Sequence, residues 1–526
     1  MPKQRETLHW QAPTGPYNAA TEMVDSHIAA GRSDKVAFID PQRSLTYGAL
    51  AEACNRVANV LPRLGIGREQ RIALIMLDTC DIPAVFWGAI KAGVVPIPLN
   101  TLLPPEALGY MIEDSRAEAV VVSAELVERV SPMLAEIEQR RHLHIIVAGG
   151  SGGPRHLDLA ALLSNSAPLA TAAPTHADEV AFWLYSSGST GMPKGTRHVH
   201  TSPMATAKLF SQAVLGMTSD DVIFSAAKLF FAYGLGNGMS FPMSVGATTV
   251  LLPDRPTPDA VLATLKSHHP TIFCGVPTLF AALLAHPGLG AGAGSSRLRL
   301  ATSAGEALPE DIGNRWQAIV GTEIIDGIGS TEMLHIFVSN RPGHVRYGTS
   351  GTPVPGYAAR IVDDDGSLIT NGDIGELVVK GPSAADGYWL QREKSRRTFR
   401  GEWTHTGDKY RIDDDGYYVY CGRTDDMFKV SGIWVSPFEV ESALVTHASV
   451  LEAAVIGKED ADGLIKPKAY VVLKPGFAAS EALFDDLKGH VKTVAGTWKY
   501  PRWIEARGEL PKTATGKIQR FKLRAE

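Results

Sequence analysis

The sequence of 526 residues has little cysteine, no long apolar run and no excess of one charge sign. Its four cysteines, Cys54, Cys80, Cys274 and Cys421, are far apart and form neither a CxxC nor a Cys/His ligand spacing. That excludes a disulfide framework and a zinc ribbon, and the thiols read as small buried hydrophobes of a reducing compartment. No apolar stretch approaches the length of a membrane span, and the opening MPKQRETLHWQAP lacks the apolar core of a signal peptide. The expectation is a cytoplasmic protein without a membrane partner. Lys and Arg number 51 against 56 Asp and Glu, a net charge of −5 with the signs interspersed. A nucleic-acid binder needs clustered positive charge, so that class is set aside. Any anionic ligand must be held locally, by a few basic side chains and backbone N–H groups. Internal repeats and low-complexity tracts are also missing.

What is present is alternation. Short β-branched runs (Ala119–Val122, Val180–Tyr185, Thr248–Leu252, Thr271–Cys274, Glu323–Ile325, Glu376–Val379) sit between amphipathic stretches such as Ser44–Leu64 and Asp259–His268. The pattern predicts an α/β fold with mixed and parallel sheets. Gly288–Ser296 is rich in Gly, Ala and Ser and predicts an exposed loop. Tyr410–Tyr420 reads as a hairpin with Asp415 and Gly416 in its turn. Beyond it, Ser436-Pro437-Phe438-Glu439 is a capping box with Pro at the first helical position. Strands at Leu451–Ile456 and Ala469–Leu473 and a helix from about Ser480 to Val494 complete a small α+β unit. The predicted division is a large N-terminal domain, residues 1–422, and a small C-terminal domain, residues 423–526, joined by a hinge.

The densest chemistry is in Tyr185–Gly195, YSSGSTGMPKG. Ser186, Ser187, Ser189 and Thr190 supply hydroxyls, Gly188, Gly191 and Gly195 let backbone N–H groups approach an anion, and Lys194 brings charge. A Walker A loop would have Gly where Pro193 precedes the lysine, and Ser or Thr where Gly195 follows it. The segment is therefore a phosphate loop of another kind.

That segment resembles the signature loop of the adenylate-forming superfamily, in particular its acyl- and aryl-CoA ligases. Further motifs follow in the family's order: Phe86–Asn100, Ser303–Pro309 (SAGEALP), Gly327–Glu332 (GIGSTE), Thr406–Asp408 (TGD), Gly422–Gly432 (GRTDDMFKVSG) and Pro511–Arg520 (PKTATGKIQR). The resemblance implies ATP, Mg2+ and coenzyme A as cofactors and co-substrates. It assigns Asp408 to the ribose hydroxyls, Thr331 to a phosphate and Glu332 to magnesium, a hard cation suited to a carboxylate. Ala304, Gly305, Glu306 and Ala307, with Asp326, Gly327 and Ile328, would surround the adenine. The family commonly has an aromatic residue at position 328, where this chain offers an aliphatic face. Lys517 matches the lysine that steadies charge as the adenylate forms. Arg423 and Lys429 would contact the nucleotide region, Asp425 occupies the hinge position, and Gly432 and Trp434 would flank the path of the pantetheine arm.

The resemblance also places an acid pocket at Ala232, Tyr233, Ala304, Gly327, Gly329, Leu334, His335 and Ile336, a short and mostly apolar set. DGIGSTEMLHIF and LFFAYGLGNG are similar to the benzoate-CoA ligases in particular, whose glycines suit a planar ring. His335 has two readings of equal weight, recognition of a ring substituent or packing in the wall. The implied partner is a small aromatic carboxylic acid, with hydroxy-, amino- and fluorobenzoates as competitors to benzoate. Carrier-protein loading, a luciferase-like oxygenation and a non-catalytic nucleotide binder are the other classes considered. A homodimer is an expectation from the family alone.

Overall fold

The computed structural model describes residues 10–150, 153, 156–188, 191–370, 372–424, 426–430, 433–461, 463–497, 499–512 and 518–524. A nine-stranded sheet runs in the order Thr352–Pro353, Ile336–Ser339, Ile324–Gly329, Leu300–Ser303, Ile272–Gly275, Val222–Ser225, Thr248–Val250, Val36–Ile39, Ser44–Thr46. Its middle is parallel and its margins antiparallel. A second, five-stranded sheet, built on Arg71–Ile75 and Ala119–Ser123, is parallel throughout. Parallel strands need both faces covered, and Ala119–Ser123 is buried along its whole length. A five-stranded antiparallel sheet holds Gly375–Lys380, Trp403–Ile412 and Tyr418–Arg423. The prediction of mixed α/β layers is met.

Local signals decide several elements. Ser436 Oγ accepts from the Glu439 amide at 3.2 Å, starting the helix Pro437–Val445 as its capping box requires. Thr257 caps the helix Pro258–His268 in the same way. The hairpin at Trp403–Ile412 and Tyr418–Arg423 turns at Gly416, whose φ is +85°. All four cysteines are free and buried. Beyond Met427, Phe428, Val440, Leu444, Val455, Val471, Leu487 and Val491 close a hydrophobic core of their own.

Three readings are corrected. Ser44–Thr46 is a strand, and the helix begins only at Tyr47, because Thr46 Oγ1 caps it by accepting from the Ala49 amide. Gly288–Ser296 is not a simple exposed loop: Ala293 and Ser295 are buried, and Ser295 Oγ donates to the Pro270 carbonyl at 2.8 Å. The phosphate segment is largely a hairpin rather than a loop, since strands Val180–Gly188 and Gly191–Val199 pair up to Gly188 opposite Gly191. Among the described residues, no helix is long and apolar enough to cross a membrane.

Candidate active site

A three-stranded sheet sets the phosphate segment beside an aromatic residue the sequence reading omitted. Gly387–Tyr388 pairs with Gly191–Val199, which pairs with Val180–Gly188. Tyr388 thereby reaches both Lys194 and Glu332. Its hydroxyl donates to Glu332 Oε1 at 2.8 Å, while Lys194 Nζ lies 3.2 Å from the same hydroxyl and 4.3 Å from the ring centroid. Ser186 Oγ is 3.4 Å and Lys194 Nζ 3.8 Å from Glu332 Oε1. Lys194 is pulled below its ordinary pKa chiefly by burial; Glu332 opposes that, and Lys394 and Arg423 reinforce it. The result is a cation whose partial desolvation strengthens its attraction for incoming phosphate oxygens. Tyr388 belongs to no motif singled out from the sequence, and its only local signal is the aromatic pair with Trp389.

Glu332 is delivered by a short turn at the end of strand Ile324–Gly329. Ser330 caps the 3-10 turn Thr331–Met333 by accepting from the Met333 amide at 3.2 Å. Leu334 then takes φ +65°, ψ −34°, a conformation rare for a branched side chain. This reversal puts Thr331 and Glu332 on the phosphate side and swings buried His335 into the molecule.

Asp408 lies across the antiparallel pair from Arg423, which donates to it at 3.0 Å and to the Thr406 carbonyl at the same distance. Asp326, within the strand Ile324–Gly329, is buried, and burial pushes its carboxyl up to about 8; the Ser303 hydroxyl and the amides of Leu308 and Gly327 oppose the rise. Ala304, Gly305, Glu306 and Ala307 form the turn after strand Leu300–Ser303, with Gly305 at φ +98°.

Among the residues expected to line an acid pocket, the Tyr233 hydroxyl lies 2.7 Å from Thr302 Oγ1. The His335 ring packs against Phe210, Tyr233 and Phe241 with centroids 5.3, 5.5 and 4.4 Å away, and Nε2 is 3.3 Å from the Tyr233 carbonyl. Burial drives its pKa down to about 3, so a neutral ring in the wall is what this geometry sustains. Ala232, Ala304, Leu334 and Ile336 contribute apolar surface at partly or fully buried positions. Gly327 and Gly329 make room first for the neighbouring strand. A Cβ would lie 2.7 Å from the Val338 carbonyl oxygen at Gly327 and 2.6 Å from that of His335 at Gly329. Side chains there would spread the hairpin that carries His335.

The structure thus brings together Ser186, Lys194, Glu332 and Tyr388, and separately Tyr233 and His335. Ser189, Thr190, Asp425, Gly432 and Lys517 lie outside the described residues, as do the side chains of Ser187, Lys429 and Trp434. Among the described residues, no three His, Cys, Asp or Glu side chains cluster as a metal site.

The AMP-binding enzyme family matches residues 26–389, and the AMP-binding enzyme C-terminal domain matches residues 439–517. This chain belongs to the AMP-binding enzyme family. It is 57% identical to a benzoate–CoA ligase of Thauera aromatica over 97% of this chain and 96% of that one. A 4-hydroxybenzoate–CoA/benzoate–CoA ligase of Rhodopseudomonas palustris is 54% identical over 97% and 94% of the two chains. The fold is similar to the crystal structure of a benzoate CoA ligase from Burkholderia xenovorans LB400, with a TM-score of 0.89, 51% identity and coverage of 97% and 100%.

Five histidines of this AMP-binding enzyme are held below their ordinary pKa by burial, which bears on its response to acid. Burial lowers His198 and His200 to about 4 and His335 to about 3, and it also lowers His27 and His268. Below about 6.5 the unfolded chain takes up protons that the folded rings refuse, so stability falls with pH. Asp78 and Asp326, raised by burial to about 6 and about 8, act in the opposite sense. Five histidines outweigh two acids. The thermal midpoint is expected to fall between pH 6.5 and 5, a change that scanning calorimetry reads directly; an unchanged or rising midpoint contradicts neutral burial.

Proposed function

We propose that this enzyme is an ATP-dependent benzoate–CoA ligase that forms benzoyl-CoA, AMP and diphosphate through a benzoyl-adenylate. The observation that carries the reading is the turn Thr331–His335, which presents a carboxylate to the phosphate hairpin on one side and an aromatic wall to the acid pocket on the other. Identity of 57% and 54% to ligases whose names include benzoate supports that choice of acid.

A benzoate carboxylate oxygen attacks the α-phosphorus of ATP, the bond to the β-phosphate oxygen breaks, and diphosphate leaves. The coenzyme A thiolate then attacks the acyl carbon, and AMP departs with the former carboxylate oxygen. Ser186 and Lys194 hold phosphate oxygens, Tyr388 orients Glu332, and Asp408 accepts the ribose hydroxyls. Glu332 is an oxygen donor among hydroxyls rather than one of a cage of acids, which fits a magnesium ion shared with the nucleotide's phosphates. When bound, that ion would neutralise charge on the phosphates. Lys517 serves the first half-reaction. Lys429, Gly432 and Trp434 serve the second, after residues 423–526 turn about Asp425 relative to residues 1–422. Four buried free thiols accord with a cytoplasmic setting.

The test is coenzyme A-dependent AMP release with ATP, magnesium and benzoate, 4-hydroxybenzoate, 2-aminobenzoate, cyclohexanecarboxylate, acetate or octanoate. Benzoate is expected to exceed acetate and octanoate by at least about tenfold in kcat/KM. Preference for an aliphatic acid would overturn the acid assignment, and diphosphate release without a thioester would redirect the second step to a carrier protein.

A further inference from the structure

We infer that the Asn237 amide forms a polar subsite at the inner end of the acid pocket, which takes a hydroxyl group borne on the aromatic ring. The inference rests on the aryl-CoA ligase reading and adds a residue that reads the ring's substituents.

Asn237 is fully buried, and neither Oδ1 nor Nδ2 makes a hydrogen bond of ordinary geometry among the described residues, although the amide lies close enough to the Tyr233 hydroxyl to ease the rise in its pKa. It follows Tyr233 by four positions on one continuous helical stretch, Ala232–Leu235 running into the π-helical turn Gly236–Ser240. Side chains so spaced share a face, and π turns recur at functional sites. Between them, a Cβ at Gly236 would lie 2.4 Å from His335 Cδ2. Positions 233 and 236 therefore meet the His335 ring, and the Asn237 amide lies beside the Tyr233 hydroxyl.

The nearby hydroxyls are already paired with each other. Tyr233 and Thr302 share a hydrogen bond of 2.7 Å, and His335 Nε2 faces the Tyr233 carbonyl at 3.3 Å. His335 Nδ1, like the amide, makes no hydrogen bond of ordinary geometry among the described residues. Buried amides are almost always hydrogen-bonded, so one without such a bond beside a ligand pocket points to a ligand group. A hydroxyl matches it well, donating to Oδ1 or accepting from Nδ2, whereas a ring C–H leaves both atoms unmet. Full burial favours a neutral substituent over a second carboxylate.

The experiment compares wild type, Asn237→Leu and Asn237→Ser in the AMP-release assay with benzoate and 2-, 3- and 4-hydroxybenzoate. For the isomer the wild type prefers, Asn237→Leu is expected to lower kcat/KM by at least about tenfold, while benzoate changes less than about threefold. Asn237→Ser, which keeps one hydroxyl, should fall between them. A parallel loss for benzoate and hydroxybenzoate would mean that the amide only holds a buried water, and would overturn the subsite. So would a wild type that rejects every hydroxybenzoate while turning over benzoate. Absence of benzoate turnover in the wild type would instead remove the ligase reading beneath it. Should the leucine variant fail to fold, the serine variant and equilibrium binding of the hydroxybenzoates to both folded proteins carry the comparison.

Discussion

Glu332→Gln is expected to slow adenylate formation by about 10²- to 10³-fold, read as single-turnover diphosphate release with saturating ATP and benzoate. The glutamine keeps the shape of the side chain and can still accept from Tyr388 and Ser186, so the loss isolates charge. That charge matters in two ways. It offsets the burial of Lys194, whose Nζ lies 3.8 Å away, and it supplies the anionic oxygen that a cation shared with the phosphates requires. Thioester formation from pre-formed benzoyl-AMP, which needs no diphosphate to leave, should change by less than about fivefold. Equal losses in both half-reactions would contradict this division of labour, and a rate within threefold of wild type would remove Glu332 from the chemistry.

Lys517→Ala should cost a similar factor, about 10²- to 10³-fold, in adenylate formation alone. Lys517 itself lies outside the described residues, but both flanks of its segment are anchored. Lys512 and Ile518 form an antiparallel bridge, and the Gln519 amide donates to the Pro511 carbonyl at 2.8 Å. Arg520 then binds Glu441 at 2.6 Å and Asp426 at 3.4 Å. The segment that follows the lysine is thus tied to Asp426, next to the hinge position, and to the helix Pro437–Val445. If residues 423–526 turn as the proposed unit, they carry Lys517 away after the first step, and its removal should spare the thioester step. If pre-formed benzoyl-AMP also reacts about a hundredfold more slowly, Lys517 serves both steps and the assigned rotation loses its rationale.

Much of this was legible in the residues because the signals are local. A serine three residues before a glutamate, with proline between, caps a helix wherever tertiary structure puts it, and Ser436 does so. Hydroxyls, glycines and a lysine after an apolar strand raised the expectation of an anion site, but did not show that much of the segment would be paired strands. Ser44–Thr46 was misread because three residues of strand and a helix share the same apolar spacing. The harder losses are long-range. Tyr388 reaches Glu332 only because strand Gly387–Tyr388 pairs with Gly191–Val199 from the far side of the sequence. Asn237 looks like an unremarkable polar residue in a glycine-rich stretch until burial strips it of water. Which of the family's pocket positions touch a ring, and which merely let strands approach, is equally invisible: Gly327 and Gly329 are crowded by carbonyl oxygens.

The π-helical turn Gly236–Ser240 makes chain length itself a determinant of selectivity. A π turn encloses one more residue than an α turn, and each residue advances a helix by about 100°. Deleting a single residue from the start of that turn would restore ordinary winding and turn Asn237 by about 100° relative to Tyr233, with no side chain altered. Insertions and deletions here would retune which ring substituents fit in one step, where point substitutions could only trim the same cavity.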